Sequence, residues 1–350
     1  MNRTGRFPLS AALLTLTILA GLAPAKAAET TAVRIVTFNA EILTAPGVRA
    51  GQLQKYRFNQ ARDAQLDRVA DLIEVLTPDV LNLVEVTSVE AVDALISRLH
   101  DKGLKDYRGY HIESHDNFSG MDVALITRLP IDEVEGQPIR TIWSEDDDPT
   151  WNASYSFTNW DGDPDTDVTS LGRNSLYYLT IAGHKLGFLG LHLKSNPDEA
   201  YSNAKRMAEV EVARRIVRSQ IVGKGYLPVV LGDLNDYDPA VPDRDDTRDT
   251  KTEALAKLKD FDPERPGEEL VNVAKKIVNK EDRYTSHWDR NENGAGDGDD
   301  VYTMIDHILL PKAFEPYIRR AFIAHVVGLE TSDHFPVVVD LALPPATATR

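Results

Sequence analysis

Between Arg57 and Leu76 apolar residues recur at Leu66, Val69, Leu72, Ile73 and Leu76, the spacing of an amphipathic helix. Pro78 closes that pattern. The run Val80-Leu81-Asn82-Leu83-Val84 behind it predicts a buried strand that stops at Glu85. The same order returns later in the chain. A helical pattern over Ala204 to Val222 leads to Pro228-Val229-Val230-Leu231, a strand that runs out at Gly232-Asp233-Leu234-Asn235. Each half therefore predicts a helix followed by a buried strand that delivers a carboxylate at its C-terminal end, where α/β folds gather binding groups. Further strands are expected at Val33–Phe38, Asp122–Thr127, Leu176–Ile181, Leu186–Leu191, Met304–Leu310 and Val337–Leu341. Many strands with few helices imply an α/β protein in which two sheets pack face to face with helices outside. No linker divides residues 28–350, so one domain is expected. Acidic stretches at 143–170 and 236–250 read as irregular, and a third at 287–300 as more ordered.

The start of the chain changes this picture. Arg3 and Arg6 precede an apolar run from Leu9 to Leu22, and Ala25-Lys26-Ala27 supplies small residues for a cut. The run falls short of the unbroken ~18 apolar residues of a membrane span. Residues 1–27 thus read as a signal peptide, and the protein as exported, periplasmic or extracellular. Removing them takes away three basic and no acidic residues, so the net charge of −16 becomes −19. Such a chain does not hold polyanions by bulk charge, and any phosphate chemistry needs a local cation or basic groove. It has no cysteine. Disulfides, thiolate zinc sites and cysteine nucleophiles are therefore excluded. A monomer with no stable membrane association after cleavage is expected.

Polar groups stand at six ends of apolar runs: Asn39, Glu85, His192, Asp233 with Asn235, Asp306, and Asp333 with His334. A single Asn or Asp there is an ordinary turn former. The set together matches the needs of phosphoester hydrolysis. A cation must neutralise the phosphate oxygens. Oxygen ligands without thiolate favour Mg²⁺ or Mn²⁺. A histidine suits the activation of water near neutral pH, and a carboxylate behind it fixes its tautomer.

With the motifs Phe38-Asn39, Leu83-Val84-Glu85-Val86, Gly190-Leu191-His192-Leu193-Lys194-Ser195, Gly232-Asp233-Leu234-Asn235, Ile305-Asp306-His307-Ile308 and Ser332-Asp333-His334 in this order, the chain resembles the endonuclease/exonuclease/phosphatase superfamily, and within it exported bacterial nucleases. The resemblance implies a four-layer α/β/β/α sandwich of two mainly antiparallel sheets, and a metal-dependent phosphoesterase. It makes Glu85 the main metal ligand, supported by Asn39 and Asp333. His334 becomes the general base oriented by Asp306, and Asp233 and Asn235 position water and phosphate. His192 stabilises charge on the phosphate or assists the leaving group. By the same resemblance Arg173 binds phosphate and Glu41 is a second acidic ligand. Two departures stand out. Phe38 replaces the usual tryptophan, and the acidic partner expected for His192 is represented only by Asp122.

Outside this set, Asp289, Asn291, Asn293, Gly294, Asp297 and Asp300 occupy positions 1, 3, 5, 6, 9 and 12 of a calcium loop, with Asp in place of the usual final Glu. Asp161, Asp163, Asp165 and Asp167 alternate in a second acidic run. Trp143, Trp151, Tyr155, Phe157 and Trp160 crowd the 143–170 insertion, which either overhangs the site and stacks on bases or packs on itself. Lys205, Arg206, Arg214, Arg215, Arg218 and Lys224 place a basic face on the second helix. A nuclease acting on DNA or RNA is the leading expectation. A phosphatase or a sphingomyelinase-like phospholipid phosphodiesterase is the alternative with the same chemistry. An inactive binding module is the third, opposed by the intact residue set.

Overall fold

The structure, a computed structural model, describes Met1 and residues 29–49, 51–116, 118–245 and 252–346. The expected signal peptide, residues 1–27, lies outside the described residues apart from Met1. Among the described residues no helix is long and apolar enough to cross a membrane.

Two six-stranded sheets form the centre. In spatial order, the first runs Ile318–Ile323, Val337–Leu343, Thr31–Leu43, Val80–Val86, Asp122–Thr127, Arg108–Tyr110. The second runs Leu270–Asn272, Asp306–Pro311, Leu227–Asp233, His184–His192, Asn174–Ile181, Ile139–Arg140. Only the middle pair of each sheet is parallel, Thr31–Leu43 with Val80–Val86 and His184–His192 with Leu227–Asp233. A parallel pair needs a crossover rather than a tight turn. The two helical patterns supply it, as Asn59–Leu76 and as Ala200–Ile216 extended by one π turn, Val217–Ile221. Thr77 ends the first helix in the left-handed conformation (φ 45°), just ahead of Pro78.

Three apolar layers follow from strand alternation. Val33, Ile35, Val80, Leu125, Phe188, Leu231 and Val339 meet between the sheets. Val36, Phe38, Leu81 and Leu83 turn the other way, onto Leu66, Val69, Ile73 and the helix Val89–Asp101. Leu189, Leu191 and Val230 do the same against Val210, Ala213 and Ile216. This is the α/β/β/α sandwich.

Gly190 lets the sheets approach. A Cβ there would lie 2.1 Å from Asn82 Oδ1 and 2.8 Å from Ser175 Oγ. Asn82 is itself fixed, donating to Thr37 Oγ1 at 3.2 Å and accepting from Tyr177 Oη at 3.3 Å. Gly190→Ala is expected to cost about 1–3 kcal/mol by overpacking, read as a lower urea midpoint at unchanged slope.

Three expectations need correction. The insertion at 143–170 is not irregular: it contains short helical turns and the hairpin Ala153–Thr158/Pro164–Thr169. The second helix starts four residues earlier than its apolar pattern, at Ala200. The strand expected from Met304 begins at Asp306, so Asp306 opens its strand rather than following it.

Candidate active site

Parallel strands end at the same edge. Asn39 lies opposite Val84 in one sheet and Asp233 opposite His192 in the other. Glu85 reaches this edge by a break in alternation. Leu81 and Leu83 face the helices, and strict alternation would send Glu85 after them. Instead the register shifts between Val84 and Val86, and Glu85 takes a left-handed backbone (φ 61°). That conformation costs an L-residue about 1–2 kcal/mol, and such strain collects at functional sites. Glu41 (φ 49°), Ile42 (φ 56°) and Asn235 (φ 50°) share it around the same edge.

The side chains then interlock. Asn39 Nδ2 donates to Glu85 Oε1 at 2.9 Å and to Asp233 Oδ2 at 3.1 Å. The Ile42 amide donates to Glu85 Oε2 at 3.1 Å. Asp233 Oδ1 accepts from the Asn235 amide at 3.0 Å, while Asn235 Nδ2 is committed to the Leu193 carbonyl at 3.1 Å. His334 Nδ1 lies 2.7 Å from Asp306 Oδ2. Among the described residues, two groups of metal-ligating side chains converge to within 4.8 Å: Glu85, His192 and Asp233, and Asp233, Asp306 and His334. Asp233 belongs to both.

Of the expected site residues, Asn39, Glu85, His192, Asp233, Asn235, Asp306 and His334 thus share one centre. Asp333 is its rim: its side chain is 43% exposed, with Oδ1 3.9 Å from His334 Nε2. Glu41 is in neither converging group; it pairs with Lys55 and accepts the Asp333 amide at 2.9 Å. Arg173 stands beside His192, its NH1 3.5 Å from Nδ1, and donates to the Leu193 carbonyl at 3.2 Å. Asp122 is not the partner of His192. It bonds His111 at 2.7 Å and the Ser114 amide at 2.8 Å. The carboxylates that face His192 Nε2 are Glu85 Oε1 at 3.6 Å and Asp233 Oδ2 at 3.8 Å.

A model of the Endonuclease/Exonuclease/phosphatase family matches residues 37–334. The chain belongs to this family. No curated protein sequence matches it. Among solved structures, an AP endonuclease from Archaeoglobus fulgidus is 16% identical with a TM-score of 0.55, over 88% of this chain and 98% of that one. TDP2 from D. rerio, complexed with a single strand DNA product, is 15% identical with a TM-score of 0.52, over 89% and 98%. TDP2 from Caenorhabditis elegans is 14% identical with a TM-score of 0.53, over 89% and 74%. At these identities the likeness is one of fold.

Electrostatics sets this family member's site apart from an inert polar cluster. Burial, then the neighbouring Asp306, pushes Asp233 up to about 7. Burial raises Glu85 as well, only partly offset by its bond from Asn39. Burial and the adjacent Arg173 hold His192 well below its usual value. Burial would lower His334 too, but Asp306 and Asp333 outweigh it and raise it well above. Asp306 Oδ1 is buried with no hydrogen-bond partner. Crowded, desolvated carboxylates with an orphaned oxygen form a donor set that fits a hard divalent cation.

Residues beyond the motifs hold this arrangement. Ser332 Oγ donates to the Asn39 carbonyl at 2.7 Å and accepts the His334 amide at 2.9 Å. Thr285 Oγ1 accepts the amides of Ile305 and Asp306 at 3.0 and 2.9 Å. Ser332, two places before His334, was readable as a local hydroxyl brace; nothing near Thr285 marks it.

Two clefts flank the centre. One, of ≈ 540 Å³, is lined by Glu85, Trp143, Arg173, His192, Lys194 and Lys205 among others. Trp143 there stacks on His115, ring centroids 4.0 Å apart. The other, of ≈ 800 Å³, is lined by Asn235, Trp288, Arg290 and Asp333 among others. The basic helix face largely dissolves. Arg206 is buried against Asp236, Arg214 pairs with Glu211, and Lys224 with Glu135. Arg215 bonds the carbonyls of Thr150, Trp151 and Asn152. Of these side chains Lys205 lines the first cleft. The insertion's aromatic residues divide likewise. Tyr155 is buried, and Trp151 and Phe157 pack on the same layer. Trp160 at the hairpin tip is fully exposed. The run Asp161–Asp167 forms that turn and return strand, with Asp167 accepting from Tyr155 Oη at 2.9 Å.

Proposed function

We propose that this protein is an exported, divalent-metal-dependent phosphodiesterase that hydrolyses nucleic acid. The observation that carries the reading is Asp233 standing in both converging groups, which joins a cation-holding half to a proton-accepting half. Glu85, oriented by the Asn39 amide group whose own oxygen is held by the Glu41 N–H, would hold Mg²⁺ or Mn²⁺, with Asp333 at the rim. When bound, the cation would neutralise the non-bridging phosphate oxygens.

The remaining steps belong to the chain. Asp306 engages His334 Nδ1 and holds the imidazole above its usual value, so Nε2 takes the proton of the attacking water only in the deprotonated fraction, which grows with pH. Asp233 and Asn235, locked together through backbone and side chain, position that water. A neutral His192, its Nδ1 toward Arg173, turns an Nε2–H toward the phosphate. As the water oxygen bonds phosphorus, the P–O ester bond breaks; the departing ester oxygen takes a proton from solvent water, and His334 returns the proton it took to solvent.

Nucleic acid is favoured by the first cleft, where Arg173, Lys194 and Lys205 offer cations to a phosphate chain and Trp143 offers a stacking face. The D. rerio TDP2 complex with single strand DNA product supports the same substrate class. One observation favours a lipid phosphodiester instead: Trp160 stands bare at a hairpin tip, as a membrane-touching residue would.

The test is hydrolysis of plasmid DNA, RNA, sphingomyelin vesicles and a phosphomonoester by residues 28–350, with Mg²⁺ and with chelator. Metal-dependent cleavage of DNA or RNA is expected. Lipid cleavage alone would sink the nuclease reading, and inertness toward all four would sink the enzyme. Arg173→Ala should lower kcat/KM on nucleic acid by roughly 10- to 150-fold, the worth of one charged hydrogen bond. An unchanged value would remove Arg173 from the substrate site.

A further inference from the structure

The hairpin Ser286–Trp288/Val301–Thr303 stands over the second cleft and carries the loop 289–300 at its tip. The loop holds five carboxylates and one guanidinium in twelve residues. By itself that is only an acidic turn. The independent observation is Asp300. Its side chain is fully covered although the loop lies at the surface. Its carboxylate is turned under the loop, where Oδ2 takes the Asp297 amide at 2.9 Å and His287 Nε2 at 2.7 Å. Oδ1 is left buried with no donor. A buried carboxylate oxygen without a partner calls for a proton or a cation.

The loop's other side chains of ligand type are carboxylates and amides. Asp289 caps the turn, its two oxygens taking the amides of Asn293 at 3.2 Å and Gly294 at 2.6 Å. Gly294 supplies the left-handed bend (φ 76°). Asn291 and Asn293 now donate their amide nitrogens to Asp297 Oδ2, at 2.9 and 2.7 Å. Half a turn of either amide presents an oxygen instead, at the cost of the bonds that Asn291 Oδ1 and Asn293 Oδ1 now accept from the Asn293 and Ala295 amides, at 3.1 and 2.7 Å. Two carbonyl-type oxygens and three carboxylates are the donor set of a calcium loop rather than of Mg²⁺, which demands a rigid octahedron.

We propose that the loop binds Ca²⁺ through Asp289, Asn291, Asn293, Asp297 and Asp300, and that this ion fixes the hairpin against the catalytic segment. The connection is direct. The His287 amide donates to the Asp333 carbonyl at 2.8 Å, and the Phe335 amide to the Thr285 carbonyl at 2.7 Å. Ser286 bridges His334. The hairpin that closes on the ion is therefore laid along the segment that presents Asp333 and His334. It also places Trp288 and Arg290 on the wall of the second cleft.

The experiment uses residues 28–350 carrying Glu85→Gln, so that the active centre does not report. Tb³⁺ titration, excited through Trp288 beside the loop, should give sensitised luminescence that Ca²⁺ displaces. The Ca²⁺ dissociation constant should fall on the order of 10⁻⁴ to 10⁻³ M, the range of exported modules. Ca²⁺ should also raise the melting temperature. Adding Asp289→Ala, on an exposed position, or Asp300→Asn, which keeps an oxygen toward His287, should abolish both signals. Luminescence or stabilisation that survives both substitutions overturns the proposal. So does a parent protein that shows neither at about 10 mM Ca²⁺, some tenfold above the weak end of that range.

Discussion

Replacing His334 by alanine is expected to lower kcat for phosphodiester hydrolysis by about 10²- to 10⁴-fold, the usual worth of a positioned general base, with KM little changed. The geometry gives a second consequence. His334 Nδ1 is the hydrogen-bond partner of Asp306 Oδ2, and Asp306 Oδ1 already lacks one. Removing the imidazole leaves a wholly unpaired carboxylate beside Asp233, at a cost of roughly 1–3 kcal/mol. The variant should therefore melt earlier as well as turn over slowly. The two effects separate in Asp306→Asn, which keeps an oxygen facing Nδ1 but removes the crowded charge. It should fold at least as stably as the parent and still lose rate, because the imidazolium formed in the reaction is no longer compensated. Steady-state kinetics beside urea denaturation reads both quantities. Full activity in a folded His334→Ala protein would remove His334 as the proton acceptor.

Glu85→Gln is expected to raise the stability of the metal-free protein while abolishing metal-dependent activity. Glu85 is mostly covered, with 13% of its side chain exposed, and desolvation raises its carboxyl; Asp233 beside it is pushed up to about 7. An amide removes one charge from this crowd and can still accept from Asn39, though its NH₂ then faces the Ile42 amide that Glu85 Oε2 now accepts. Loss of an outer partner of a metal ligand costs up to about 100-fold, so loss of the ligand itself should cost more. Thermal melts with and without Mn²⁺ give the decisive contrast. The parent should be stabilised by the ion and the variant should not, and without ion the variant should melt higher by a few degrees. A variant that melts lower without ion, or that still responds at the active centre, would show Glu85 to be structural.

These two residues also show how far the sequence could be read. His334 and Asp306 were each legible as polar groups beside a clean apolar run, and as a pair only through the family resemblance. Glu85 was legible as the end of a strand, but its facing was not. Alternation points it at the helices, and only the bulge and its left-handed backbone reverse that. Bulges leave no reliable local pattern in sequence. The hairpin at 153–169 was missed because its return strand, Pro164–Thr169, is nearly all exposed and acidic and so lacks the apolar half of a strand pattern. The basic helix face misled for the opposite reason. Charges at helical spacing look solvated, yet Arg206 is completely buried against Asp236, a tertiary pairing thirty residues away that periodicity does not encode. Asp122 lies on the expected strand, but His111 holds it.

The seating of the proton acceptor also dates the birth of activity in the life of the chain. Ser332 ties to Asn39 across 293 positions of sequence, and Val337–Leu343 pairs with the opening strand Thr31–Leu43. The two helix-crossed parallel pairs can form from neighbouring stretches, but the N-terminal strand gains its second neighbour only when the far end arrives. Such distant pairings form slowly because loop closure comes before reward. On the proposed mechanism, hydrolysis begins only when the first sheet closes.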